Sequence, residues 1–361
     1  METKEHSGVL SAKQIFKAIA FTTIFILILI PVSYITRTSG DVKDRFVGFY
    51  AEPKDTIDVA MIGSSPIHPY FSGPMMYGEH GFTTYQLSSN QQRPEAATYL
   101  IQEMEKRQNP KLYVFELRQY AATTESMTAN MSYARGLTDN LRYSWNRVKL
   151  INEIIDDPME RYTYYFDIMK YHANWSSLFR TSQLKTFDYA YPSELKGFQF
   201  VEKVNVMYEW DYSYVTETES LPDTREQDLY RLLDYLKEHD MQALFIVSPV
   251  AMQDESYMAK FNYMEPIVRS YGYDFVNMNK MFNELEIDFR SDFYDGGAHM
   301  NALGAEKCSA YLGQYISEHY PLEDKRGQQA YASWDNAYTV WQEKLAYMKE
   351  HWDEMIEKDF T

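Results

Sequence analysis

Hydrophobic and polar positions along this chain are grouped in blocks. An unbroken run of 19 uncharged residues covers 18–36, with the apolar stretch from Ile24 to Val32 at its centre. That is about the length of helix needed to cross a ~30 Å hydrocarbon layer, and no comparable run follows it. Short apolar runs bounded by turn residues then occur at 56–62, 83–87, 112–117, 243–248 and 274–278, as expected of strands buried on both faces. Between them, 94–107, 225–239, 257–271 and 302–319 carry apolar residues at helical spacing. Pro94 suits a first helical turn, and Asp223-Thr224 with Glu226 offers a cap for the following helix. Strands alternating with helices in this way predict α/β units around a mostly parallel sheet.

Two regions break the rhythm. Residues 121–222 are rich in Tyr, Trp, Arg and Met and read as a helical insertion between the third and fourth strands. Residues 324–361 read as an amphipathic helical segment, with Tyr331, Trp334, Tyr338, Trp341, Tyr347 and Trp352 forming one stripe, expected to pack on the body of the protein, with a sugar-stacking platform as the alternative. The expected organisation is a short cytoplasmic tail (1–17), an anchor (18–36), a polar linker with a first short helix (37–55), an α/β domain (56–323) holding the insertion, and the carboxyl-terminal segment.

Composition narrows the function classes. Of 361 residues, 45% are hydrophobic and 24% charged, a globular balance. A net charge of −17 argues against nucleic acid, whose phosphates need clustered Lys and Arg. A single cysteine, Cys308, excludes an intramolecular disulfide and a Cys-rich zinc site. There is no His-Glu-x-x-His, phosphate loop or dinucleotide fingerprint, so neither a metal nor a cofactor is expected. A Gly-x-Ser-x-Gly elbow is also missing, which counts against an ordinary α/β-hydrolase.

The apolar run reads as an uncleaved anchor. A signal peptide would have a shorter apolar region and small residues at its cleavage site, whereas Tyr34-Ile35-Thr36-Arg37 follows here. Lys4, Lys13 and Lys17 before the span balance Arg37, Lys43 and Arg45 after it, so charge specifies orientation weakly. The part before the span is too short to fold. The expectation is a single-pass cell-membrane protein with its folded domain outside the cytoplasm.

Two stretches carry candidate chemistry. In the first, a hydrophobic strand runs from Val59 into Gly63-Ser64-Ser65, and His68 follows. This places a hydroxyl at the carboxyl end of the first strand, where open α/β sheets put their ligands, with Gly63 allowing a tight turn. Serines after a strand also cap helices, so the stretch alone does not decide. The second runs Phe293-Tyr294-Asp295-Gly296-Gly297-Ala298-His299-Met300-Asn301, just before a helix. A carboxylate near a histidine can fix its tautomer and stabilise the imidazolium; a simple Asx turn at Asp295 is the alternative. Among the other histidines, His68 and His172, the latter set among aromatics, are candidates to line a pocket.

Taken together, a serine after strand one and a histidine before the last helix resemble the SGNH (GDSL-type) hydrolase superfamily. The resemblance extends to its membrane-anchored branch, which includes the D-alanyl-lipoteichoic acid biosynthesis proteins and related polysaccharide acylation proteins. It covers roughly 56–120 and 240–320. It implies a three-layer α/β/α, flavodoxin-like domain with Ser65 as nucleophile, His299 as base and Asp295 (or Asp292) orienting the ring. It further implies an oxyanion pocket drawn from Ser64, Ser88, Ser89, Asn90 and Arg118. Two departures stand out. Asp295 precedes His299 by four positions rather than three, and Val114 to Gln119 lacks the asparagine of the family's third block. The implied activity is that of a membrane-tethered esterase or O-acyltransferase acting on a cell-envelope polysaccharide or teichoic acid, beside a multi-spanning O-acyltransferase. The alternative is a non-catalytic accessory protein of the same fold.

Overall fold

The computed structural model describes residues 11–123, 125, 132–251 and 254–352. Residues 1–10 of the expected tail, 353–361 of the expected carboxyl-terminal helix, and 124 and 126–131 of the insertion lie outside the described residues.

Helix α1 (Ala12–Thr36) starts earlier than the predicted span. Ser11 caps it in a box completed by Gln14. It is long and apolar enough to cross a bilayer, but its last turn, Ser33 to Thr36, is buried in the protein body. Helix α2 (Asp41–Ala51) lies within 37–55, where a polar linker with a first short helix was expected. Its Phe46, Val47, Phe49 and Tyr50 are buried, and the Phe49 ring lies 5.9 Å from that of Tyr85. Apolar residues at one-, three- and four-residue steps give this short helix a core-facing side.

The core is a five-stranded sheet of β1 (Val59–Gly63), β2 (Thr84–Ser88), β3 (Leu112–Glu116), β4 (Ala243–Val247) and β5 (Asp274–Asn277). All neighbours pair in parallel, in the order β2-β1-β3-β4-β5. Strands β2, β3 and β4 are buried at every position, which is why their sequences are continuous apolar runs rather than alternating ones. The connecting helices are α3 (Gly73–His80) and α4 (Ala97–Glu105), then, beyond the insertion, α8 (Asp223–Glu238) and α9 (Glu255–Ser270). Right-handed crossovers put α3 on one face of the sheet and α4, α8 and α9 on the other. Helices α10 (Ala302–His319) and α11 (Ala332–Glu350) pack against α3, completing a three-layer α/β/α architecture. The strand order reverses between β1 and β3, a topological switch point whose carboxyl-end crevice is the usual ligand site of open α/β sheets.

Helix α3 has no counterpart in the sequence reading. It is short and buried from Gly73 to Tyr77, so it lacks the polar face that creates a helical period. In α11, Trp334, Ala337, Trp341, Leu345 and Met348 are buried, so much of the aromatic stripe packs on the body.

The insertion holds α5 (Ser132–Thr138), α6 (Trp145–Ile154), α7 (Pro158–Tyr165) and further single turns up to Leu184. It grips the end of α1. Arg37, 1% exposed, pairs with fully buried Asp167 at 2.5 Å. Its guanidinium lies over the rings of Tyr34, Tyr143 and Tyr189 at 4.7, 5.1 and 5.0 Å. Lys43 donates to the Tyr34 and Arg37 carbonyls, satisfying acceptors that a helix end leaves open. Helix α1 is therefore built into the body and does not hang from a flexible tether.

Candidate active site

Strand β1 delivers the first half of the site. A Cβ at Gly63 would come within 2.8 Å of both Glu116 Cβ and Ile67 Cδ1. The glycine thus allows close packing against the end of β3, just before the chain turns at Ser64. Beyond it Ser64 is buried, with Ile67 N–H donating to its carbonyl at 3.1 Å, and Ser65 is half-buried. The Ser65 amide donates no hydrogen bond among the described residues.

A hairpin delivers the second half. Strands β6 (Phe293–Tyr294) and β7 (His299–Met300) pair antiparallel, with Tyr294 opposite His299. Between them Asp295, Gly296 and Gly297 have φ of 45°, 70° and 84°, a left-handed run that two glycines make accessible. This curl turns the Asp295 carboxylate back onto its own histidine. Its Oδ1 accepts the His299 N–H at 3.0 Å, and its Oδ2 lies 2.7 Å from Nδ1. On the other side of the ring, His299 Nε2 lies 2.7 Å from Ser65 Oγ. A separation of four positions, with Gly296, Gly297 and Ala298 between Asp295 and His299, therefore suits a hairpin that reaches both groups.

The chemistry follows from the donor inventory. An ionised carboxylate only accepts, so the proton sits on Nδ1, and the Nε2 lone pair faces the Ser65 hydroxyl as an acceptor. Such a serine can surrender its proton to the ring as its oxygen attacks an electrophile.

The hairpin is fixed from behind by residues the sequence did not mark for that role. Asn205 Oδ1 accepts Gly296 N–H at 3.0 Å, and Ala251 N–H donates to the Gly297 carbonyl at 3.0 Å. Arg118 and Tyr70 both donate to the Ala298 carbonyl, at 3.0 and 3.2 Å. The His299 ring has Tyr70 edge-on at 6.5 Å and Tyr294 at 5.8 Å. Tyr70 and Tyr294 carry no motif signal, because only the folded hairpin brings them to the histidine.

The remaining sequence candidates divide. Arg118, expected in the oxyanion pocket, donates to the Ala298 and Pro249 carbonyls and to Tyr70 Oη, while its buried Nε has no partner among the described residues. Fully buried Ser88 and its neighbour His68 lie together, Oγ to Nδ1 at 3.1 Å. Burial, with Arg45 and His299 nearby, holds His68 well below the usual histidine range and so neutral. Ser89 Oγ bonds Gln92, leaving Asn90 as the exposed member of that stretch. The Ser64 hydroxyl is buried without a partner among the described residues. Asp292 is tied to Lys307 at 2.7 Å and to the Asp288 amide, so Asp295 and not Asp292 orients the histidine. His172 is exposed on the insertion with Nδ1 2.8 Å from the Met169 carbonyl, and none of its hydrogen bonds reaches the Ser65 loop.

Glu116, beneath Gly63, has one oxygen near the Ser248 amide at 3.4 Å and the other without a partner among the described residues. Burial pushes its carboxyl up to about 7, partly offset by Arg118 and by backbone amides. No cluster of three or more His, Cys, Asp or Glu suited to a metal occurs among the described residues.

No known protein family matches this chain, and no curated protein does. Among solved structures, a Bacteroides fragilis protein provisionally described as an acylhydrolase is similar over 78% of this chain and 99% of its own. The identity is 10% and the TM-score 0.36.

Proposed function

We propose that this chain is a serine-dependent acyl-ester enzyme working at a membrane surface. The observation that carries the reading is the contiguous Asp295–His299–Ser65 relay, with both side-chain links at 2.7 Å. Ser65 Oγ attacks the ester carbonyl while its proton passes to His299 Nε2. Asp295 stabilises the imidazolium so formed. The tetrahedral oxyanion takes the Ser65 amide, which has no competing acceptor among the described residues, together with a donor at Asn90. Collapse breaks the ester C–O bond and His299 returns the proton to the departing alcohol. The acyl-Ser65 then yields its acyl group to water or to an acceptor hydroxyl, with His299 again taking the proton.

Helix α1 supports a substrate at the membrane, since a tethered site works at high local concentration on neighbouring molecules. The finer reading follows the sequence resemblance: an extracytoplasmic domain acting on acyl esters of a cell-envelope polysaccharide or teichoic acid, partnered by a multi-spanning O-acyltransferase. The accessory alternative draws on the missing third-block asparagine, yet it has no use for a formed relay.

Hydrolysis of p-nitrophenyl acetate by the full chain in detergent tests the enzyme reading. Ser65→Ala and His299→Ala each lose on the order of 10³-fold or more in kcat with thermal denaturation unchanged. Turnover equal to that of the unsubstituted chain in both variants would overturn it.

A further inference from the structure

We propose that residues 168–187 of the insertion form a membrane-interface surface that seats the folded domain on the lipid bilayer beside α1. The inference is independent of the esterase reading and rests on position, charge and exposure.

Position comes first. Apart from half-buried Ala20, helix α1 is exposed as far as Ile28, and from Ser33 onward it is buried in protein. The bilayer boundary therefore falls near Leu29 to Val32, since Ala12 to Ile30 gives a helix of about 27 Å at 1.5 Å per residue, with Lys13 and Lys17 in the turns that reach back to the opposite headgroups. The insertion meets α1 at that level. Tyr165, Phe166 and Ile168 share an apolar cavity of about 260 Å³ with Ile26, Leu29 and Ile30. Ile26 lies one turn inside the boundary, about 6 Å along the helix, within the ~5–10 Å to which interfacial segments insert. Polar contacts lock the segment there. Asn174 donates to the Thr36 carbonyl at 2.9 Å, Gln183 to the Arg37 carbonyl at 3.2 Å, and Thr186 to the Tyr34 carbonyl at 3.4 Å.

Charge comes second. In a chain with 52 acidic and 35 basic residues, 168–187 contains Lys170, Arg180 and Lys185 and no Asp or Glu. All three cations are exposed. The flanking Asp167 is neutralised inside the protein by Arg37, and Asp188 closes the stretch. Local positive charge on an acidic protein complements anionic headgroups near the membrane surface.

Exposure comes third. Met169, Trp175, Phe179, Leu184 and Phe187 are exposed, Trp175 at 69% and Phe179 at 85%. Large aromatics beside cations at the mouth of a membrane helix have the composition of an interfacial belt. Water is a poor environment for such a patch, and the bilayer that receives α1 covers it without further partners. Because Arg37 and Asp167 fix α1 to this segment, the surface sets the tilt of the whole domain.

The test uses the full chain in nanodiscs of equimolar phosphatidylcholine and phosphatidylglycerol. NBD labels are placed on Phe179→Cys and, as control, on Tyr208→Cys, an exposed position outside the segment. The native Cys308 is buried, out of reach of the label. The probe at 179 is expected to shift to the blue, to be quenched by doxyl-labelled lipid and to lose quenching by aqueous iodide, whereas the probe at 208 shows none of these. Removing phosphatidylglycerol weakens the lipid quenching at 179. Iodide quenching at 179 equal to that at 208 overturns the proposal. Shielding at 179 that appears only when a second membrane protein is added assigns the surface to a protein partner, and overturns it equally.

Discussion

Asp295 does two jobs with one carboxylate, gripping the His299 amide and orienting its ring. Asp295→Asn keeps the size but offers an amide NH₂ to Nδ1. The ring then presents Nε2–H to Ser65 and can no longer accept its proton. Ester turnover is expected to fall about 10⁴-fold, as with the same substitution in other serine triads. The denaturation midpoint should hold, because the side chain is 42% exposed. A drop in stability with turnover intact would assign Asp295 to the turn alone. Glu116 makes a separate pH statement. Its folded carboxyl is raised from 4.5 to about 7, first by burial. Below pH 4.5 both folded and unfolded chains hold the proton. Between 4.5 and 7 the unfolded chain releases it and the folded chain does not, so this group makes stability fall as pH rises through that window. At ~1.4 kcal/mol per unit the loss is about 3 kcal/mol, complete above pH 7. Glu116→Gln should flatten that decline in denaturation curves taken from pH 4 to 8. An unaltered slope would show that the carboxyl ionises freely in the fold.

Among the elements, the buried end of α1 matters most for architecture. Removing one partner of a buried ion pair leaves the other charge uncompensated and costs about 3–5 kcal/mol. Arg37→Ala and Asp167→Ala should each lose that much, and the double variant less than the sum, as read from denaturation in detergent. Strict additivity would mean that the pair does not act as one unit. The strands were legible in the sequence because a parallel sheet covered on both faces writes itself as apolar runs. Helix α3 was not: a short, buried helix has no polar face to reveal its period. At the site, Ser65, His299 and Asp295 could be picked out as motif positions, but the four-residue spacing looked like a defect until the left-handed hairpin gave it a geometry. The supporting contacts of Tyr70, Arg118 and Asn205 depend on long-range folding that local spacing does not encode. The carbonyls that Arg118 meets come from two distant loops, which is why its contact with the hairpin could not be read from the sequence.

For the whole molecule, the relay and the apolar first helix are parts of one packed body. Its sheet places Ser65 at the β1/β3 switch point, and its first helix enters the protein body. Full-length protein is therefore the proper sample, since cutting after Arg37 would strip the buried Tyr34 and Arg37 contacts from the insertion. The central claim is that Ser65 is an activated nucleophile. Its most direct test is labelling of the full chain in detergent with a fluorophosphonate probe, followed by intact mass and mapping of the modified residue. One adduct on Ser65, lost in Ser65→Ala and after heat denaturation, is the expected result. Folded protein that takes up no probe, or takes it up equally in Ser65→Ala, would contradict the account.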